Sequence, residues 1–305
     1  MSKIETSKRI GFTSKSEGLF NFQDYKKAKY KMVYVIMFLF LLTLSLICLL
    51  PVLWVMLSGF KSMEEMYAIP PTFFPQSIDF SKIIRVWSSI SIGRYFFNTI
   101  MLIIGCLVCD IVVNGLCGYV LSRIKPAGSK IIDTLIFWSM MLPGISMVPL
   151  YMTFVDIPLL HINLVGTYFP VWVMAGCSAF NVLLFRNFFN GIHMSYIEAA
   201  KLDGCNVWEV FLRIILPLSK PIIMVISIFS ITGTWGNFMW PYLLLGNTNF
   251  EPISVLLYKL SSGGESLPPN DYMIVIMISI IPVIIIYGFF SKQIMGGLSM
   301  SGIKG

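Results

Sequence analysis

Several apolar stretches of this 305-residue chain are long enough to cross a lipid bilayer as helices. A membrane-spanning helix needs about 20 predominantly apolar residues, and residues 32–59 alone exceed that length. The chain is 56% hydrophobic and 12% charged, whereas soluble domains carry about 25% charged residues. A membrane β-barrel would instead show short alternating segments. The sequence therefore predicts an all-α, polytopic membrane protein.

The apolar stretches and the polar segments between them predict six transmembrane helices. The predicted spans are residues 32–59, 95–121, 131–154, 164–185, 222–245 and 272–290. Four segments follow from them: a basic tail (1–31), the first span with an extracytoplasmic loop (32–94), a core (95–291) that holds a cytoplasmic loop at 186–220, and a short tail (292–305).

Basic residues are distributed unequally between the two sides of this six-span arrangement. Of the 22 lysines and arginines, 17 fall in the two tails, the link 122–130 and the loop 186–220, and five fall in the other loops. Cytoplasmic loops are enriched in Lys and Arg. We therefore expect a multi-pass protein of the cell membrane with both termini and the loop 186–220 in the cytoplasm. This topology explains the net charge of +7 without nucleic acid.

The cytoplasmic loop begins with a short predicted helix. Ser195 is expected to be its N-cap, with Glu198 three residues later completing a capping box, and Gly204 is expected to end it in a left-handed conformation. Ala199 and Ala200 would give this helix a small-sided face for close approach. An isolated helix of fewer than about 12 residues is marginal in water, so this one needs a docking surface.

A second helix is predicted directly after the first. Asn206 and Glu209 repeat the start signal, and Pro217 is expected to stop the helix.

The sequence contains no motif that supports catalysis or metal binding. It lacks the GxxxxGK[ST] phosphate loop, HExxH and the GxSxG elbow. The only histidines are His161 and His193, and we interpret Cys106 and Cys109 as packing residues inside an apolar helix. We expect no enzymatic activity and no cofactor bound by this chain.

Polar residues inside the spans are the other candidates for function, because polar groups are costly there. Asp110, with Asn114 one turn along, is either a pathway or proton-coupling carboxylate or a polar pair that bonds a neighbouring helix, and we favour the second interpretation. Further candidates for a hydrophilic pathway or gate are Asn98, Asn181, Thr234, Trp235, Asn237 and Trp240. Rings and amides suit a sugar, but an interfacial aromatic belt explains the tryptophans equally well.

The loop also resembles the EAA loop of permease subunits of bacterial ABC importers, whose pattern is EAA, three residues, Gly, nine residues, Ile-x-Leu-Pro. Glu198-Ala199-Ala200, Gly204, Ile214, Leu216 and Pro217 match it at every gap. The segments IPPTFFPQSIDFSKIIRVW, NTIMLIIG, CGYVLSR and GGLSMSGIKG are similar to carbohydrate-uptake permeases of the MalG type. The resemblance covers almost the whole chain from residue 32 and implies the type I, MetI-like permease fold for residues 95–291.

The resemblance further implies a role for the loop and a set of partners. Its first helix would be the coupling helix that docks on a cytoplasmic ATPase, and Gly204 would make a turn that a Cβ would obstruct. The implied ATPase-coupling residues are Ser195, Glu198, Ala199, Ala200, Asp203, Gly204, Ile214, Leu216 and Pro217.

The implied assembly contains a second, MalF-like permease subunit, two copies of a MalK-like ATPase that binds ATP and Mg²⁺, and an extracytoplasmic sugar-binding protein. The outer segments 60–94 and 246–271 would meet the binding protein. The imported substrate would be a sugar, expected to be an oligosaccharide.

Two alternatives stay open from the sequence. One is an ABC importer permease for a modified or acidic saccharide. The other is a secondary transporter, for which Asp110 is the sole candidate coupling residue. Co-purification with an ATPase would distinguish the second alternative from an ABC permease.

Overall fold

The computed structural model describes residues 28–141, 147–158, 160–263 and 267–300, with side chains between residues 31 and 290. Within these ranges the regular structure is helical and no strand occurs. The helices are α1 (Ala28–Ser58), α2 (Met63–Met66), α3 (Ser81–Ser89), α4 (Ile92–Cys109), α5 (Gly115–Tyr119), α6 (Ser129–Met141), α7 (Met147–Val155), α8 (Phe169–Gly176), α9 (Ala179–Gly191), α10 (Met194–Leu202), α11 (Val207–Val210), α12 (Leu216–Leu218), α13 (Lys220–Gly236), α14 (Met239–Leu245), α15 (Ile253–Ser261) and α16 (Pro269–Met300).

Three helical segments are individually long and apolar enough to cross a membrane: Lys31–Ser58, Ile92–Ile124 and Pro269–Phe290. The second combines α4 and α5 with two π-helical segments, Asp110–Asn114 and Val120–Ile124. All three coincide with predicted spans. They are consistent with the predicted all-α membrane fold.

Two further candidate spans are bent pairs of helices. The predicted span 164–185 consists of α8 and α9, which meet at 42°. The predicted span 222–245 corresponds to α13, which begins at Lys220 and ends at Gly236, followed by α14 as a separate helix. The second bent pair joins Val207–Leu218 to α13 at an angle of 75°.

The remaining predicted span, 131–154, corresponds to α6 and α7. Residues 142–146 between these helices, which include Pro143 and Gly144, lie outside the described residues, as do residues 1–27 of the basic tail and the last five residues of the chain. The division into four segments stays a prediction. The described chain forms two compact units, which divide after Val55. The larger unit, from Met56 onward, contains every site described below.

Buried residues of the larger unit form three apolar clusters. One joins α3, α4, α15 and α16 around Ile92, Leu256 and Ile274. A second surrounds Leu102 and Leu245. The third, which we call the cytoplasmic core, consists of Tyr119, Phe185, Phe189, Ile197, Ala200, Val210, Phe211, Ile215 and Ile226. It binds the predicted cytoplasmic loop to the membrane helices.

Helices α5 and α9 approach each other closely at Gly118. A Cβ built at this position would lie 2.6 Å from the Phe185 Cβ, 3.0 Å from the Arg186 backbone nitrogen and 3.2 Å from the Val182 carbonyl oxygen. Small residues permit such backbone approach between membrane helices. Gly118 therefore fixes the spacing of two helices that contribute to the cytoplasmic core.

Candidate functional sites

One face of α10 packs against the cytoplasmic core, and the opposite face is exposed. Ile197 and Ala200 are buried in that core, each with 4% of its surface exposed. Leu202 is 89% exposed and Tyr196 is 54% exposed. The short helix is thus stabilised by its own chain and still presents an apolar surface to a partner.

The start of α10 differs from the sequence prediction. The helix begins at Met194 with His193 as N-cap, and no side chain caps it. Ser195 therefore lies inside the first turn, so the predicted capping box with Glu198 is wrong. Glu198 is exposed on the outer surface, where it is available to a partner.

The two alanines of the EAA motif do not share a face. Consecutive residues on an α-helix point about 100° apart. Ala199 is exposed while Ala200 packs into the cytoplasmic core. The prediction of a joint small-sided docking face is therefore wrong: Ala200 permits close packing against this chain, and only Ala199 remains on the outer surface.

The end of α10 is a Schellman motif around Gly204. The Gly204 N–H donates to the Lys201 carbonyl oxygen (3.1 Å) and the Cys205 N–H donates to the Ala200 carbonyl oxygen (2.9 Å), the two bonds that define this motif. Gly204 has φ +80°, which confirms the predicted left-handed conformation. A Cβ there would meet no neighbour within 4 Å. The constraint is therefore backbone conformation and not obstruction. Asp203, the C-cap, is exposed.

The second helix of the loop 186–220 starts as predicted. The Asn206 N–H donates to Glu209 Oε2 and the Glu209 N–H donates to Asn206 Oδ1, both at 2.9 Å, which completes a capping box. The helix continues through a π-helical segment, Phe211–Ile215, and ends at Leu218, one residue beyond the predicted stop at Pro217.

The Ile-x-Leu-Pro residues make only some of the contacts that hold this second helix against the cytoplasmic core. Ile214 and Leu216 are half-buried against the cytoplasmic core, and Pro217 is exposed. The fully buried contacts come from Val210, Phe211 and Ile215, which the motif does not include. Pro217 instead lies just before the bend at Ser219. Because proline lacks an N–H donor, a straight helix is not favoured there.

A buried polar cluster forms where two interrupted membrane helices meet. Asp110 opens the π-helical segment after α4, and Asn181 lies in the first turn of α9. Asp110 Oδ1 accepts from Asn114 Nδ2 (2.6 Å) and from Asn181 Nδ2 (2.8 Å), and Oδ2 accepts from Asn181 Nδ2 (2.9 Å). The structure thus contains the polar bond to a neighbouring helix that one interpretation of Asp110 expected.

The break between α8 and α9 leaves backbone groups that these polar side chains satisfy. Asn114 Nδ2 also donates to the Ala175 carbonyl oxygen (3.0 Å) near the end of α8. The Ser178 hydroxyl accepts from the Asn181 N–H (3.3 Å) and caps α9. Broken membrane helices are tolerated where side chains supply such partners.

The same carboxylate faces a cavity of about 270 Å³ between α8, α9 and α13. Five of the predicted pathway residues line it: Asp110, Asn181, Thr234, Asn237 and Trp240. The structure adds two hydroxyls that the sequence analysis missed, Ser178 and Ser230. A Ser before a helical run is a recognisable N-cap signal for Ser178, whereas Ser230 has no distinguishing local pattern.

Three other predicted pathway residues lie elsewhere. Asn98 Nδ2 donates to the carbonyl oxygens of Asn249 (2.8 Å) and Glu251 (2.9 Å), so it holds a loop. Trp235 lines a different cavity, of about 480 Å³. Asn114 is buried behind Asp110. The grouping of Asn98 and Trp235 with the others in one cavity is therefore wrong.

Comparison with known proteins places these features in a family. Residues 114–296 match the family described as the binding-protein-dependent transport system inner membrane component. The match includes both helices of the loop 186–220 and most of the cavity residues.

Individual relatives resemble the chain over most of its length. The diacetylchitobiose uptake system permease protein NgcG of Streptomyces coelicolor is 27% identical over 266 residues, which are 85% of each chain. The polygalacturonan/rhamnogalacturonan transport system permease protein YtcP of Bacillus subtilis is 29% identical over 280 residues, covering 87% of this chain and 96% of its own.

A solved structure has the same fold. A chain of a bacterial ABC transporter involved in the import of the acidic polysaccharide alginate superimposes with a TM-score of 0.76 at 25% identity. The superposition covers 87% of this chain and 98% of that one. The predicted ABC importer permease fold is confirmed.

Proposed function

Because the chain belongs to the family of inner-membrane components of binding-protein-dependent transport systems, we propose that it is a transmembrane permease subunit of an ATP-driven oligosaccharide importer. It is a multi-pass membrane protein whose role is transport and not catalysis. The observation that carries the proposal is α10, a short helix anchored by Ile197 and Ala200 with an exposed opposite face.

This geometry suits the transmission of force from a cytoplasmic ATPase. A partner that moves α10 also moves the cytoplasmic core, because Ile197 and Ala200 pack with Tyr119 and Phe189 of the membrane helices. The Schellman motif and the capping box join α10 to the second helix through a short, defined turn. Closure of an ATPase dimer would thereby shift the membrane helices between two arrangements.

The complete importer would contain partners that this chain does not supply. We propose a second homologous permease subunit, MalF-like, two copies of a MalK-like ATPase that binds ATP and Mg²⁺, and an extracytoplasmic binding protein. The chain itself would bind no cofactor. Both termini would be cytoplasmic, and the outer segments 60–94 and 246–271 would meet the binding protein.

The chemistry of the cavity supports a saccharide as substrate. Its polar groups are carboxylate, amide and hydroxyl, and Trp240 adds an aromatic surface. Sugars present hydroxyls for such groups and C–H faces for a ring. The relatives are named for diacetylchitobiose, polygalacturonan/rhamnogalacturonan and alginate, all of which are saccharides.

Purification of the affinity-tagged chain from native membranes tests the assembly. We expect an ATPase subunit and a second permease subunit to co-purify, and the complex to hydrolyse ATP faster when the loaded binding protein is added. A chain that purifies alone from mild detergent, or a complex without ATPase activity, would contradict the proposal.

The substrate is identified through the partner that captures it. Tryptophan-fluorescence titration of the cognate binding protein with a panel of oligosaccharides should give one ligand bound far more tightly than the rest. ATP-dependent accumulation of that ligand in proteoliposomes then tests its transport. Binding of amino acids or metal ions and of no saccharide would overturn the carbohydrate assignment.

A further inference from the structure

The cavity between α8, α9 and α13 has one acidic side chain and no basic side chain among its described lining residues. Fourteen described residues line it, and Asp110 is the sole member of this group that carries a formal charge. The described part of the lining contains no Lys, Arg or His. Arg186, further along α9, is engaged with Asp133 at 2.9 Å. A negatively charged ligand in this cavity therefore meets a carboxylate with no cation beside it.

The hydrogen bonds that Asp110 already accepts determine what its carboxylate can offer to a ligand. Both side-chain amide groups within reach direct their N–H donors at the carboxylate, at 2.6 to 2.9 Å. The Asn114 and Asn181 donors are thus engaged with the carboxylate, and the other polar side chains of the lining are the Ser178, Ser230 and Thr234 hydroxyls and the Asn237 amide. What Asp110 offers to a ligand is its remaining acceptor capacity, which suits hydroxyl or amide N–H groups.

We propose that Asp110 makes this pathway selective for saccharides that carry no carboxylate. The inference rests on the proposed function and specifies its substrate class: oligosaccharides whose hydroxyl or acetamido N–H groups donate to Asp110. Two carboxyl groups within one small cavity cannot both stay ionised without cost. An acidic sugar therefore either experiences repulsion or requires a proton to be taken up.

The test compares two substrates in two variants of the complete importer. The substrates are the oligosaccharide that the binding protein binds best and its analogue in which one primary hydroxymethyl group is oxidised to a carboxylate. Accumulation of each is measured in proteoliposomes at saturating binding protein. The variants are the wild type and Asp110→Asn, which keeps the side-chain shape and removes the charge. The preference of the binding protein is common to both variants and cancels in the comparison.

We expect the ratio of acidic to neutral accumulation to rise about tenfold in Asp110→Asn, as expected for removal of one nearby repulsive charge in a partly dry site. Accumulation of the neutral sugar should itself fall in Asp110→Asn, because an asparagine offers its hydroxyl or N–H groups one acceptor oxygen fewer. The readout is therefore the ratio of the two substrates within each variant. The matched control is Asp156→Asn, because Asp156 is an exposed carboxylate outside the cavity. This control should leave the ratio at its wild-type value.

An unchanged ratio in Asp110→Asn, or a best ligand that is itself acidic and fully transported by the wild type, would overturn the inference. Either result leaves the proposed function intact, because ATP-dependent saccharide uptake is still observed. If the wild type accumulates no saccharide at all, the proposed function itself fails, and the inference fails with it.

Discussion

Replacement of Gly204 by valine is expected to lower ATP-driven uptake about tenfold or more while the subunit still inserts and assembles. Gly204 has φ +80°, and a β-branched residue in this conformation costs about 1–2 kcal/mol or more. Relief of that strain breaks the two Schellman bonds and frees the end of α10. Uptake and ATP hydrolysis, measured together in proteoliposomes, should show hydrolysis that no longer drives transport.

Two controls separate turn geometry from side-chain bulk. Gly204→Asn should keep most of the uptake, because asparagine tolerates the left-handed conformation. Gly128→Val is the matched substitution: Gly128 has φ +86° and, like Gly204, open space around its Cβ position, but it lies in a different link. We expect Gly128→Val to transport normally. Normal uptake by Gly204→Val would show that the turn does not couple the ATPase to the membrane helices.

Replacement of Gly118 by alanine should lower the stability of the complex. We expect this loss to exceed that of any other glycine-to-alanine replacement in the described helices that pack on the cytoplasmic core. The new Cβ would lie 2.6 Å from the Phe185 Cβ and 3.0–3.2 Å from two backbone atoms of α9. Backbone atoms cannot turn aside as a flexible side chain can, so α5 and α9 must separate. Overpacking of this kind typically costs about 1–3 kcal/mol. The thermal unfolding midpoint of the purified complex should fall, together with its yield.

Gly115→Ala is the matched control for this prediction. Gly115 lies three residues earlier on α5, and a Cβ there would be 3.7 Å or more from its nearest neighbours, all on the Phe185 ring. That is ordinary contact, so the midpoint should stay near the wild-type value. Equal midpoints for the two alanine variants would contradict the close approach of α5 and α9 at Gly118.

The sequence predicted the features that depend on local or compositional signals. Long apolar runs identified the membrane helices, the asparagine and glutamate of the second start signal identified a capping box, and Gly204 identified a left-handed helix end. Each of these depends on a few neighbouring residues or on total hydrophobicity, which a single sequence contains directly.

The features it missed depend on tertiary packing. Ala199 and Ala200 are adjacent in sequence, yet the position of the cytoplasmic core decides which of them is buried. The 42° bend between α8 and α9 lies inside a stretch that hydropathy identifies as one span, so hydropathy alone does not reveal it. Asn98 and Asn181 are both span asparagines, and only the three-dimensional partners show that one holds a loop while the other lines the cavity.

Cysteine crosslinking from α10 tests the central claim most directly. In a variant whose six native cysteines are replaced by serine, a single cysteine is placed at Leu202, which is 89% exposed, or at Ala200, which is 4% exposed. In native membrane vesicles we expect Leu202→Cys to form a crosslinked adduct with an ATPase subunit, and the yield of this adduct should change when ATP is added. Ala200→Cys should form little or no adduct. Absence of any ATPase adduct from Leu202→Cys, with the complex otherwise assembled, would contradict the account.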